Sequence, residues 1–189
     1  MAGNSLGGVL SLIIASFGHA ASATALSPAG FWRRPGDLRR VKTIFGVMRA
    51  ASAGTHPAAA VMTRSRAGRA MMYGAIVSRP SQVSAEQARG DAVAFATARG
   101  TMKTILDVPA SFTLEIPADV PVTIAWGTRD RLLPPDQASV ARQRLPQARF
   151  VSLPGCGHVP MTDDPDHVAR VLLEGSAVPA LAREGATGG

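Results

Sequence analysis

The chain has 189 residues, 46% of them apolar, with a mean hydropathy of +0.12, which excludes a disordered chain and fits one globular domain with a substantial core. Lys plus Arg total 20 against 13 Asp plus Glu, a formal charge of +7, yet Lys42 and Lys103 are the only lysines and the arginines are scattered. Recognition of nucleic acid needs basic residues gathered into a patch with aromatics beside them, so no nucleic-acid partner is expected.

Cys156 is the only cysteine, which excludes an internal disulfide and a multi-cysteine metal site and leaves a buried structural thiol as the expectation. The one dense basic cluster, Arg64, Arg66 and Arg69, has only Tyr73 near it and reads as a solvated helix face.

The apolar run Gly7 to Phe17 predicts a buried helix over 6–17. It has no Lys or Arg in front of it before Arg33, unlike a secretory leader, and it falls short of the roughly 20 residues needed to cross a bilayer. A soluble, cytoplasmic protein without a membrane partner is expected. SATALS at 22–27 reads as a short buried strand, ended by Pro28 and Gly30.

From Phe31 to about Leu106 the pattern turns helical, with helices predicted over 36–50, 66–77 and 84–99, broken at Gly54, His56-Pro57 and Arg79-Pro80. Asp37 and Ser84 are candidate N-caps, with Gln87 three residues after Ser84 as in a capping box. After Asp107-Val108-Pro109, strands over 121–126 and 148–153 alternate with helices over 135–144 and 165–174, a pattern that implies a parallel sheet with crossover helices. The domain plan is therefore a core from 1–30 and 107–175, a helical insertion over 31–106 and a fraying tail over 176–189.

Three places carry candidate chemistry. Gly3-Asn4-Ser5-Leu6-Gly7 fits G-x-S-x-G, where a serine on a strained strand-to-helix turn is exposed at a helix N-terminus whose dipole favours developing negative charge. Alone, the motif equally suits a phosphate-binding helix start or a plain turn. Asp130 lies in the loop after a buried strand, where functional groups gather in α/β sheets, although it also suits a simple turn; Asp136 reads as a cap of the next helix. His158 lies in the glycine-flanked loop after the following strand, whereas His19, His56 and His167 read as surface or structural residues. The order Ser…Asp…His is more specific than any one of these pieces.

The segments GNSLGG, LSPAGFW, PVTIAWGTRDRLLP and LPGCGHVPMTDDPDHV resemble the α/β-hydrolase superfamily over residues 1–30 and 107–175, and the block 31–106 resembles its variable helical cap in position and helical character. The resemblance implies the C-terminal part of an α/β-hydrolase parallel sheet with an inserted helical cap. It also implies a triad of Ser5 as nucleophile, His158 as general base and acid, and Asp130 as the group orienting the imidazole, acting through an acyl-enzyme. The Leu6 N–H would be an oxyanion donor. No metal and no organic cofactor are implied, and the partner would be a small acyl substrate; a serine at the elbow sets the chain apart from relatives that use aspartate. Phe45, Met62, Met71, Met72, Tyr73 and Phe95 suggest an apolar substrate, although core packing explains them equally well.

The chain departs from the family by opening at the elbow itself. The expectation is a sheet of three strands with an open apolar edge and a second oxyanion donor missing, as in an N-terminally truncated hydrolase. The alternative is an inactive fragment serving as a binding module.

Overall fold

The computed structural model describes residues 1–52, 62–97 and 114–177. Its centre is a parallel sheet of four strands, β1 (Ala2–Asn4), β2 (Ala23–Leu26), β3 (Val122–Gly127) and β4 (Arg149–Leu153), in that spatial order. The α/β class with a parallel sheet is as expected. The strand count is not: residues 2–4 pair with residues 24–26 as a further strand, so the outer position belongs to β1, and β2 is paired on both sides. Three residues are too few to show a period-two pattern, so this strand is specified by its partner.

Helix α1 (Leu6–Ser16) joins β1 to β2. It buries Val9, Leu12 and Ala15 against the sheet and exposes Leu10 and Phe17, so it is one-sided where the sequence suggested burial throughout. Between β2 and β3 lie α2 (Asp37–Ser52), α3 (Arg66–Tyr73), a 3-10 turn at Pro80–Gln82 and α4 (Ala85–Thr97). Among the described residues no strand interrupts this insertion. The helix expected over 66–77 ends at Tyr73, and residues 74–76 continue as a turn in which the Gly74 N–H donates to the Ala70 carbonyl at 2.9 Å and the Val77 N–H to the Tyr73 carbonyl at 2.8 Å. A 3-10 turn (Pro135–Gln137) leads into α5 (Ala138–Arg144), and β4 is followed by a short α6 (Pro160–Asp163) and by α7 (Pro165–Ser176). The stretch 98–113, which holds the expected boundary at 106/107, and the tail 178–189 lie outside the described residues, as does His56.

Strand alternation divides the core. Ala23, Ala25, Ile124 and Trp126 join Leu12, Ala15, Phe31, Val41, Ala141 and Leu145 on one side, while Leu26, Ala125 and Leu153 meet Val168 and Val171 of α7 on the other. Helix α7 approaches the sheet closely because Gly175 faces Thr24 and Thr123; a β-carbon there would lie 2.3 Å from the Thr24 Oγ1. The insertion has a small core of its own in Tyr73, Val77, Val83 and Ala88, with Met72 and Val159 packed on it.

Several side chains differ from their sequence reading. Ser84 does cap α4, accepting the Gln87 N–H at 3.0 Å. Asp37 does not cap α2; it is the first residue of that helix, and its Oδ2 accepts the N–H groups of Arg33 and Arg34 and the Gln137 amide at 2.9–3.0 Å. Burial alone would raise the Asp37 carboxyl, but those two backbone bonds, the Gln137 amide and the Arg34 charge outweigh it and hold the group below its ordinary range. Asp136 is no cap either and pairs with Arg33 and Arg34 at 2.7 and 3.1 Å. Arg69 is buried rather than solvated, because its Nη1 donates to the Thr63 and Arg64 carbonyls at 2.9 and 2.8 Å.

Candidate active site

The site is assembled from the three loops at the carboxyl ends of β1, β3 and β4. The first is the G-x-S-x-G turn. Ser5 has φ 57° and ψ −116°, a left-handed conformation that costs a non-glycine residue about 1–3 kcal/mol. It is held there by its own backbone: the Ser5 N–H donates to the Leu26 carbonyl at 2.9 Å, and the Ser5 carbonyl accepts from Val9 and Ala29, both at 3.2 Å. Gly3 makes the turn possible, since a β-carbon on it would sit 2.3 Å from the Gly7 backbone. Gly7 itself has open space at the same position. Leu6 is the first residue of α1, so its N–H has no carbonyl one turn earlier to bind.

The second loop carries Asp130, whose side chain is 0% exposed. Its Oδ1 accepts the Leu132 and Leu133 N–H groups at 2.9 and 2.7 Å, and the Trp126 indole N–H folds the same loop back by donating to the Leu133 carbonyl at 2.9 Å. The Asp130 Oδ2 lies 2.8 Å from Nδ1 of His158, a side chain 4% exposed. Facing a carboxylate oxygen, Nδ1 carries the proton and donates, leaving Nε2 as the free ring nitrogen.

The third loop, after β4, is packed backbone to backbone on the second. A β-carbon at Gly127 would fall 2.3 Å from the Gly157 carbonyl oxygen, the Arg129 N–H donates to the Cys156 carbonyl at 2.8 Å, and the Gly155 N–H donates to the Thr128 hydroxyl at 2.8 Å. Cys156 is buried as expected, and burial, then the charges of Asp163 and Asp164, push its thiol up against a smaller opposing pull from Arg79.

Asp130 and His158 are thus in direct contact. No hydrogen bond joins the Ser5 hydroxyl to the His158 ring; the elbow meets the histidine loop through Asn4, whose amide donates to the His158 carbonyl at 2.8 Å and to the Leu26 carbonyl at 3.0 Å. Catalytic serine–histidine contacts are often looser without substrate. Sequence reasoning missed Asn4, the unspecified second position of the motif, and it assigned no role to Asp163, which is buried beneath the histidine loop. A clue to the first was an amide donor placed where β1 ends; the second has no local signal. His19 is exposed and His167 partly exposed, apart from this site. Among the described residues no group of three or more His, Cys, Asp or Glu side chains is placed to hold a metal ion, and no helix is long and apolar enough to cross a membrane.

Parts of the sequence, and the fold, have counterparts in known proteins. An uncharacterized protein of Mycobacterium tuberculosis is 37% identical over 67 residues, covering 35% of this chain and 18% of that protein. Lipase 1 of Psychrobacter immobilis is 30% identical over 50 residues, covering 26% of this chain and 16% of the lipase. Among solved structures, a bacterial membrane phospholipase A superposes with a TM-score of 0.60 at 21% identity, over 93% of this chain and 56% of that one, a likeness of fold. The chain spans less than two thirds of the length of each of these three proteins. The model of the alpha/beta hydrolase family matches residues 1–171, a span that takes in all three loops, and the chain belongs to that family.

Proposed function

We propose that the protein is a serine hydrolase that cleaves an ester-like acyl bond of a small substrate through an acyl-enzyme, with Ser5, His158 and Asp130 as its triad. The observation that carries this reading is the buried Asp130–His158 pair, which leaves Nε2 free, beside a serine held at positive φ on the adjoining elbow. In this reading Ser5 Oγ attacks the acyl carbon as Nε2 takes its proton. The imidazolium formed is stabilised by Asp130 and returns the proton to the leaving oxygen. Water, deprotonated by Nε2, then attacks the acyl-serine; the acyl–Oγ bond breaks, the imidazolium returns the proton to Ser5 Oγ, and the acid is freed. The Leu6 N–H, at the positive end of α1, donates to the developing oxyanion. The step asks for no metal ion or organic cofactor.

Residues 31–106 serve in this reading as a cap over the acyl pocket. The apolar side chains offered by the sequence divide here: Tyr73 and Met72 pack in the insertion core, Phe45 packs on the main core, Met71 is 72% exposed, and the Phe95 side chain lies outside the described residues. Lipase 1 and the phospholipase A carry the names of lipid-cleaving enzymes, which fits an apolar acyl group here.

Labelling by a fluorophosphonate probe tests the reading. The full gene product containing residues 1–189 is expected to label, and Ser5→Ala and His158→Ala variants to lose that labelling. A folded product that stays unlabelled would overturn the triad and leave a binding module in its place.

A further inference from the structure

Asp163 is 5% exposed, and burying a carboxylate is costly unless its oxygens are filled. They are filled by backbone N–H groups from two separate parts of the chain. Oδ1 accepts from Ser78 at 3.1 Å and Arg79 at 2.9 Å, both on the loop of the helical insertion; Oδ2 accepts from Ser78 at 3.0 Å and from Gly157, the residue before His158, at 2.8 Å. The same insertion segment grips the histidine loop at further points. The Val159 N–H donates to the Ile76 carbonyl at 2.8 Å, and the Ser78 hydroxyl donates to the Gly155 carbonyl at 2.5 Å. Gly157 lies flat against it, since a β-carbon there would come within 2.9 Å of the Ser78 nitrogen and 3.0 Å of the Ile76 oxygen. His158 is therefore bracketed by two residues, 157 and 159, that are both bonded into this cluster.

The geometry points to Asp163 as a positioning residue: its two oxygens clasp the insertion segment 76–79 to the loop that carries His158, so that the seating of the insertion and the placing of the imidazole are one event. The consequence for catalysis rests on the hydrolase reading above; the clasp itself does not. The chemistry requires a carboxylate. An asparagine offers one acceptor oxygen, which can serve Ser78 with Arg79 or Ser78 with Gly157 but not Arg79 and Gly157 together, and it turns an NH2 group toward the N–H it abandons.

Amide hydrogen exchange followed by NMR reads the clasp without reference to activity. Groups released by a shared opening exchange with a shared opening free energy. The Ser78, Arg79 and Gly157 amides of the full gene product are expected to have protection factors matched to within about threefold, and in Asp163→Asn the Arg79 and Gly157 amides are expected to part from each other by about tenfold or more. In parallel, fluorophosphonate labelling of folded Asp163→Asn is expected to slow by about tenfold, with partial recovery in Asp163→Glu, which keeps both oxygens. Should Asp163→Asn fail to fold, exchange of the unaltered protein in sub-denaturing urea decides: one common opening with one urea dependence for the three amides supports the clasp, and separate openings overturn it. Matched amides and unchanged labelling in folded Asp163→Asn would overturn the clasp and leave the hydrolase reading standing. Uncoupled amides in a protein that never labels would retain the clasp and remove the hydrolase reading.

Discussion

The three loops at the strand ends and the helical insertion between β2 and β3 are held by different means. The loops grow directly from a paired sheet, and they are locked by backbone contacts so close that Gly3 and Gly127 have no room for a β-carbon. The insertion sends Phe31 and Val41 into the main core, has a small core of its own in Tyr73, Val77, Val83 and Ala88, and is further fastened to the sheet half by polar anchors. Those anchors are Asp37 to Gln137, Arg131 Nη1 to the Gly74 carbonyl at 3.1 Å, Arg40 to the Arg131 carbonyl, and Asp163 to Ser78 and Arg79. The difference teaches that rigidity has been placed where atoms must meet to within tenths of an ångström. The outer part of the insertion is joined to the sheet half by hydrogen bonds that single substitutions can release.

The sharpest way to break the contrast is on the sheet side, within the motif itself. Gly3→Ala drives a β-carbon into the Gly7 backbone, and the expected loss is about 3 kcal/mol or more, a fall in thermal midpoint of roughly 6–12 °C for a chain of this size. Gly7→Ala meets nothing within 4 Å and lies in α1, where alanine is the better helix former, so its midpoint is expected to hold or rise slightly. Equal losses at the two glycines in a calorimetric scan would contradict the elbow geometry.

On the insertion side, Asp37→Ala strips the acceptor from two N–H groups and the buried Gln137 amide, at an expected cost of about 1–3 kcal/mol. Because the folded Asp37 carboxyl is held below its ordinary 3.8, its contribution is fully present above that value and is lost as pH falls through the lower folded value. Urea unfolding of the two proteins should therefore differ most above about pH 4 and converge in stronger acid. A difference that grows on acidification would show the sign to be wrong.

The smallest effect is expected where the loops meet. Asn4→Ala removes the donor to the His158 and Leu26 carbonyls, for a loss of about 1–2 kcal/mol and a modest slowing of probe labelling at Ser5. Labelling slowed as severely as in His158→Ala would mean that Asn4 does more than hold the loop.

Ser5, Asp130 and His158 stand out in the sequence because each has a local signal, a glycine-framed turn before a helix, an acid just past an apolar strand and a histidine among glycines, and the structure brings Asp130 and His158 into contact. Helices and buried strands were likewise readable from periodicity, with ends displaced by a few residues. Strand β1 was not, for it is three residues long and exists through its pairing with β2. Nor were the roles of Asn4, Asp37, Arg69 and Asp163, polar side chains whose neighbours in sequence say nothing of their partners.

By itself, then, the sequence determined the alternation of helices with the longer strands and the chemical identities at the three strand ends, since these depend on hydrophobic period and on turn chemistry within a few residues. Tertiary structure alone decided which polar groups join the halves of the molecule. Asn4 finds the His158 carbonyl 154 residues away, Asp37 the Gln137 amide 100 residues away, and Asp163 the Ser78 N–H 85 residues away. A buried acceptor must be filled, but which donor fills it is settled only when the sheet and the insertion close on each other.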